Sequence, residues 1–135
     1  MSTVVFFHAH PDDESIFTGG TIRMLADAGH RAVVVLATGD DARRREAQAA
    51  CSVLGAAALH WLDYDDSGLD GSDAGDTFAA APLGVPTVLV DITIDVRAHC
   101  GVKRSAMAAH RSQIAADAEP LTMSAETFEG VYGYE

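Results

Sequence analysis

The sequence has little positive charge and no long apolar run. Only 9 of its 135 residues are lysine or arginine, against 20 aspartates and glutamates, which gives a formal net charge of −11. Nucleic acids and anionic membranes bind positively charged surfaces, so we expect neither as a partner. No apolar stretch approaches the length that crosses a bilayer, and the first seven residues lack the basic region of a signal peptide. We therefore expect a cytoplasmic protein.

Cysteine is also sparse. Cys51 and Cys100 lie in unrelated segments that both have helical patterns, so we expect two free thiols rather than a disulfide. The hydrophobic fraction of 48% is sufficient for a buried core. A chain of this length suits one domain, so we expect a single domain over residues 1–135.

Strand and helix patterns alternate along the first half of the chain. Apolar, β-branched runs predict strands at 3–8, 31–37 and 57–62, and amphipathic spacing predicts helices near 21–29 and at 41–54. Short connections between such elements are typical of right-handed βαβ units. The fold class is therefore predicted to be α/β, with a mostly parallel, Rossmann-like sheet and helices on both faces.

The second half is less regular. Residues 69–84 are rich in glycine and alanine without a clear period, which favours a loop. A fourth strand is predicted at 87–94, and a long helix from Asp95, a candidate N-cap, to about Ala118. The tail from Thr127 onward has no pattern that predicts an element.

Acidic residues follow two of the predicted strands. Asp12 and Asp13 come after the first strand, and residues 63–66 (Asp-Tyr-Asp-Asp) come after the third. In parallel sheets, ligands bind at the edge where the strands end. We therefore expect the two clusters to share one edge and to contribute to a site.

His10-Pro11-Asp12-Asp13 is the strongest chemical signal. A catalytic zinc takes about three nitrogen and oxygen ligands and keeps a position for water. His10 and Asp13, three residues apart in a turn, could bind one ion, while Asp12 beside it could accept a proton from the water. Zinc lowers the pKa of that water to about 7, so a carboxylate base suffices at neutral pH. The pattern favours zinc-assisted amide hydrolysis.

Other interpretations of these acids remain. Asp and Glu in the first turn of a helix commonly serve as caps that complement the helix dipole. Acidic residues at strand ends also bind Mg²⁺ in phosphoryl-transfer enzymes, although His10 argues against an all-oxygen shell. A third interpretation is a non-catalytic protein that keeps a weak metal site and acts by binding.

The residues from Val4 to Glu14, followed by Gly19-Gly20-Thr21, resemble the first motif of the PIG-L/LmbE deacetylases. The order of later segments is also similar: Thr38-Gly39-Asp40, Arg43-Arg44-Arg45-Glu46, residues 62–68, and Lys103 with Ala109-His110-Arg111-Ser112-Gln113. The resemblance touches most of the chain except the middle and the tail. It implies a zinc-dependent hydrolase that removes an N-acetyl group from a small amino sugar or glycoconjugate.

The resemblance also implies roles for individual residues. His10 and Asp13 would be zinc ligands and Asp12 the general base, while Arg43 would face the sugar and Asp66 would hold a substrate hydroxyl. From the residues alone, Arg43 could equally be a surface charge of a helix, and Asp66 an Asx-turn residue.

The chain departs from the family pattern in one respect. The family's second motif, His-Pro-Asp-His or similar, supplies a third ligand and an acid/base histidine, and no His-x-x-His occurs here. The chain is contracted near 77–82, so either a segment is missing from the sequence or the second half of the site is lost. If the segment is absent, exposed apolar sheet predicts homo-oligomerisation or poor solubility. His110 is a tentative third ligand, against a role in helix packing.

Overall fold

Three parallel strands form the sheet in the computed structural model of the chain, which describes residues 1–64 and 92–135. The strands are β1 (Thr3–His8), β2 (Arg31–Thr38) and β3 (Ala58–Tyr64), and β2 lies between the other two. All three run parallel, with Val34 opposite both Phe6 and Leu59. The predicted α/β class and parallel sheet are confirmed.

Short and medium helices surround this sheet. Their bounds are α1 (Asp13–Phe17), α2 (Gly19–Asp27), α3 (Asp41–Leu54), α4 (Cys100–Met107), α5 (Glu119–Thr122) and α6 (Ala125–Tyr132), with a 3₁₀ turn at Arg97–His99 before α4. Helix α3 matches its prediction. The Asp40 side chain accepts a hydrogen bond from the Arg43 N–H at its start, and Gly55 ends it in the left-handed conformation at φ 79°.

The main core lies between one face of the sheet and helices α2, α3 and α4. Its buried members are Ile22, Ala32, Val34, Leu36, Ala47, Ala50, Cys51, Leu54 and Ala106. Its four α3 members, at positions 47, 50, 51 and 54, have the spacing of one helical face, in agreement with the amphipathic pattern of that segment. On the opposite face of the sheet, Val5, Phe7 and Leu62 remain about half exposed. The described residues thus place helices on one of the two faces that the sequence predicted to be covered.

The long helix predicted from Asp95 to Ala118 is wrong in its length. Helix α4 ends at Met107, and residues 108–118 form turns. The Ser112 N–H and hydroxyl both donate to the Glu46 carboxylate on α3, at 2.9 and 2.7 Å. Because that N–H serves a distant carboxylate, it is not available for a helical hydrogen bond. Asp95 accepts from the Arg97 N–H at the preceding turn instead of capping α4.

The predicted strand at 87–94 lies largely outside the described residues. Its described end does not join the sheet, because Ile94 exchanges two backbone hydrogen bonds with Glu135, at 2.6 and 3.0 Å. The tail, for which the sequence predicts nothing, forms α6 and then pairs with this segment. The Ser124 side chain caps α6 by accepting from the Thr127 N–H. None of the described helices has the length and apolar character needed to cross a membrane.

Candidate functional site

A loop at the carboxyl end of β1 carries the candidate chemistry. Residues 9–12 connect β1 to α1, and the end of β2 holds this loop in place. The Thr38 N–H and hydroxyl both donate to the Ala9 carbonyl, at 3.1 and 2.9 Å. The loop therefore lies at the edge of the sheet where parallel strands end, as the sequence predicted.

His10 and Asp13 come together within this loop. The His10 N–H donates to Asp13 Oδ2 at 3.0 Å, and His10 Nδ1 lies 3.8 Å from the same oxygen. Both side chains are partly exposed. Zinc binds nitrogen and oxygen ligands at about 2.0–2.2 Å with tetrahedral geometry, so two ligands of one ion lie about 3.4 Å apart. The observed separation of 3.8 Å is slightly longer, so a small rotation of either side chain would bring the two donors to a shared ion.

No third donor completes the pair within the part of the chain that the structure describes. In residues 1–64 and 92–135, no group of three His, Cys, Asp or Glu side chains could hold a metal ion. Asp66, expected to hold a substrate hydroxyl, and the suspected contraction near 77–82 both lie outside the described residues.

Asp12 lies between the two donors in an unusual backbone conformation. Its φ angle is 115°, in a backbone region that residues other than glycine rarely adopt. Such a conformation costs on the order of 1–3 kcal/mol and persists only where the surroundings fix it. Burial, reinforced by the charge of Asp13, raises the pKa of the Asp12 carboxyl to about 6, against the opposing effects of Arg43 and His110.

Glu14 provides the fixing interaction for Asp12. Its side chain is fully buried, and its Oε2 accepts the Asp12 N–H at 3.0 Å. Its Oε1 accepts the Ser15 hydroxyl at 2.7 Å and lies 2.6 Å from His110 Nε2. Burial alone would raise the pKa of Glu14, but these hydrogen bonds and the charge of His110 outweigh it and lower the pKa. Sequence reasoning did not identify Glu14 as a functional residue, because its main partner lies 96 residues away.

His110, the tentative third ligand, is fully buried at the turn that follows α4. Its Nε2 is engaged with the Glu14 carboxylate, and its Nδ1 has no hydrogen-bond partner among the described residues. The structure thus places His110 behind Glu14, in contact with its carboxylate.

Two arginines at the start of α3 contact the loop and the residues beside it. Arg43 donates through Nη2 to the Pro11 carbonyl at 3.0 Å, so the predicted substrate residue does reach the loop. Arg44 donates to the Gly39 carbonyl at 3.0 Å, pairs with Asp63 and stacks over the Trp61 ring at 4.7 Å.

Gly39 allows Pro11 and Trp61 to pack closely against its own backbone. Its φ is 144°, and a Cβ atom there would lie 2.8 Å from both Pro11 Cγ and Trp61 Cζ3. A side chain at position 39 would therefore push directly on the loop.

His8, at the end of β1, supports the loop from below. Its Nε2 lies 2.9 Å from the Thr18 hydroxyl, which in turn donates to the Glu14 carbonyl at 3.2 Å. Burial lowers the pKa of His8, opposed by the charges of Asp13, Glu14 and Glu135, which favours the neutral ring.

Comparisons with known proteins identify the family of the chain. The family model described as GlcNAc-PI de-N-acetylase (PIG-L) matches residues 5–110. A 1D-myo-inositol 2-acetamido-2-deoxy-alpha-D-glucopyranoside deacetylase from Acidothermus cellulolyticus is 34% identical over 127 residues. The match covers 72% of this chain and 44% of that relative, so the chain spans less than half of its relative's length.

Solved structures share the fold at low identity. An N,N'-diacetylchitobiose deacetylase from Pyrococcus horikoshii superposes with a TM-score of 0.63 and 17% identity, covering 99% of this chain and 82% of that one. A 4-carboxy-2-hydroxymuconate hydratase from Pseudomonas putida KT2440 superposes with a TM-score of 0.60 and 17% identity, covering 84% and 80%. The fold therefore accompanies more than one reaction. Because the family match extends over most of its length, this chain belongs to the PIG-L family, described as GlcNAc-PI de-N-acetylase.

Proposed function

We propose that this protein is a zinc-dependent hydrolase that removes an N-acetyl group from a small amino sugar or glycoconjugate. The observation that carries the proposal is the 3.8 Å separation of His10 Nδ1 and Asp13 Oδ2, with the Asp12 carboxyl on the residue between them. The family match and the deacetylase named among the relatives support the reaction class.

His10 and Asp13 would hold the metal. A zinc ion bound there would polarise the substrate carbonyl and lower the pKa of a bound water to about 7. His10 supplies an imidazole nitrogen, which favours zinc over Mg²⁺, a cation that prefers an oxygen shell. Partial exposure of both side chains leaves room for a substrate to approach.

Asp12 would act as the general base. With a pKa of about 6, its carboxyl is mostly ionised at pH 7 and can accept the proton of the attacking water. The fixed backbone at Asp12 would keep that carboxylate in one direction during the reaction. Arg43, which holds the Pro11 carbonyl, would face the sugar, and Asp66 would hold one of its hydroxyls.

The buried, unlinked thiols of Cys51 and Cys100 support a reducing compartment, and we propose a cytoplasmic location. The charge of −11 disfavours nucleic acid and anionic membranes as partners.

Acetate release from two substrates tests the proposal. The purified chain is freed of metal and incubated with 1D-myo-inositol 2-acetamido-2-deoxy-alpha-D-glucopyranoside or with N-acetylglucosamine, and free amine and acetate are both measured. We expect zinc to restore hydrolysis of at least one substrate and a chelator to abolish it, whereas Mg²⁺ alone does not replace zinc. If zinc is bound and neither substrate is hydrolysed, the proposed hydrolase activity is contradicted, and the alternative of a binding protein is supported. Hydrolysis that is insensitive to the chelator would contradict the proposed dependence on a metal.

A further inference from the structure

The buried pair Glu14 and His110 has a role that the proposed reaction does not use. Both side chains are fully buried, and they join the loop after β1 to the turn after α4 across 96 residues of sequence. A buried carboxylate with a single polar partner contributes little net stability compared with an apolar pair of similar size. Its position beside the candidate metal ligands therefore points to a role other than stability.

The two oxygens of the Glu14 carboxylate have different hydrogen-bond partners. Oε1 accepts from the Ser15 hydroxyl and faces His110 Nε2, and Oε2 accepts the Asp12 N–H. Because an ionised carboxylate can only accept, His110 donates through Nε2. Two donors on Oε1 fix the rotation of the carboxyl group, and that rotation fixes where Oε2 meets the Asp12 N–H.

The Asp12 peptide in turn sets the directions of its neighbours. Asp12 keeps a φ of 115°, a conformation that must be held by its surroundings. Asp13 is the next residue, and its carboxylate accepts the His10 N–H at 3.0 Å. A rotation of the Asp12 peptide would therefore move both candidate ligands and the candidate base together.

We infer that His110 is a positioning residue which, through Glu14, locks the Asp12 peptide so that His10, Asp12 and Asp13 converge on the metal. This inference rests on the proposed function for its catalytic meaning, although the locking itself does not require a metal. It replaces the direct ligand role that the sequence suggested for His110. Groups that orient metal ligands from behind typically change metal affinity about 10–100-fold when removed.

Three variants separate positioning from simple stabilisation. His110→Gln places an amide N–H near the position of Nε2, and His110→Leu removes the donor while keeping apolar volume. Val34→Ala is the matched control, because Val34 is fully buried in the middle of β2, four residues before the Thr38 that holds the loop. Each variant is checked for folding by circular dichroism before use.

The first measurement is amide hydrogen exchange of the metal-free protein, resolved for residues 9–15. We expect His110→Leu to speed exchange at Asp12 at least tenfold relative to the rest of the chain, His110→Gln to stay within about threefold of wild type, and Val34→Ala to change exchange without a preference for the loop. Unchanged exchange at Asp12 in a folded His110→Leu variant would overturn the inference. This readout holds even if the protein does not bind zinc, so the two proposals fail separately.

The second measurement is zinc affinity by competition with a chromogenic chelator. We expect a loss of about 10–100-fold for His110→Leu, retention in His110→Gln, and retention in Val34→Ala. If His110 were itself a ligand, His110→Gln would lose as much zinc affinity as His110→Leu. The absorption spectrum of the cobalt(II)-substituted variants would then show the loss of a nitrogen ligand. That pattern would overturn the positioning role.

Discussion

Glu14 and Glu135 are two buried carboxylates that each accept several hydrogen bonds but hold different parts of the molecule. Glu14 accepts from the Asp12 N–H, Ser15 and His110. Glu135 accepts from the Gly20 and Thr21 N–H groups at 2.9 and 2.7 Å, and from Lys103 Nζ at 2.6 Å.

The difference between them lies in what each carboxylate holds. Glu135 ties the last turn of the chain to the start of α2, where its charge also complements the helix dipole. Glu14 holds a strained peptide beside two metal-type donors. A buried, fully bonded acid is therefore not by itself a sign of a catalytic site, and the strain and donors beside it are what indicate chemistry.

Breaking the Glu135 side of the comparison should have the largest effect on stability. Glu135→Leu leaves the Lys103 ammonium, whose side chain is 1% exposed, without its carboxylate. Losing one partner of a buried pair costs about 3–5 kcal/mol in the free energy of unfolding, measurable by urea titration. Adding Lys103→Met should recover most of the loss. If the single variant unfolds like wild type, the pair does not anchor the tail.

Replacing Glu14 should lower the free energy of unfolding less than replacing Glu135, and should weaken zinc binding more. Glu14→Gln keeps the shape but turns an NH₂ group toward one of the surrounding donors, and an unsatisfied buried group costs about 1–3 kcal/mol. We expect zinc affinity to fall about 10–100-fold, whereas Glu135→Leu, measured where it is folded, leaves zinc affinity within about threefold. Equal losses of zinc affinity in both variants would show that Glu14 has no special role at the metal site.

Pushing on the loop from its far side gives a smaller effect. Gly39→Ala introduces a Cβ atom 2.8 Å from Pro11 Cγ and Trp61 Cζ3 at a positive φ. We expect a loss of about 1–3 kcal/mol in thermal or urea unfolding, together with a weaker affinity for zinc. The control is Gly101→Ala, at an exposed position in α4 where a Cβ would meet nothing within 4 Å. It should leave zinc affinity unchanged and should raise stability by at most about 1 kcal/mol, because alanine favours the helix. A neutral Gly39→Ala variant would show that the loop is held without this contact.

The thiol of Cys51 offers the most delicate test, because it reports the charge of Glu14. Burial, and then the charge of Glu14, raise the pKa of Cys51 to about 12. The folded pKa is above the unfolded value of about 8.5, so stability from this group is complete below that pH and is lost as pH rises toward 12.

Alkylation by iodoacetamide follows this thiol directly. At pH 8.5 the wild-type thiol should react far more slowly than in urea. Glu14→Gln should lower its pKa and speed the reaction, and Glu135→Leu should not do so beyond its effect on unfolding. If both variants react alike, Cys51 is protected by burial alone.

The features that the sequence predicts well are those formed by residues close together in the chain. β1, β2 and α3 follow from local patterns and caps, and the meeting of His10 with Asp13 follows from a three-residue spacing. Helix α4 was predicted too long, because Ser112 donates to Glu46 on another helix. Glu14 was missed as a functional residue, and Glu135 lies in a tail without a pattern. Both depend on partners about 100 residues away or on several donors at once, which no local period records.

The most direct test of the central claim is the rate of acetate release per bound zinc in Asp12→Asn compared with wild type. We expect the variant to retain zinc, since His10 and Asp13 are untouched, and to lose about 10²–10⁴-fold in kcat because the base is gone. A variant that keeps zinc and hydrolyses the substrate as fast as wild type would contradict the assignment of Asp12, and with it the proposed use of this loop.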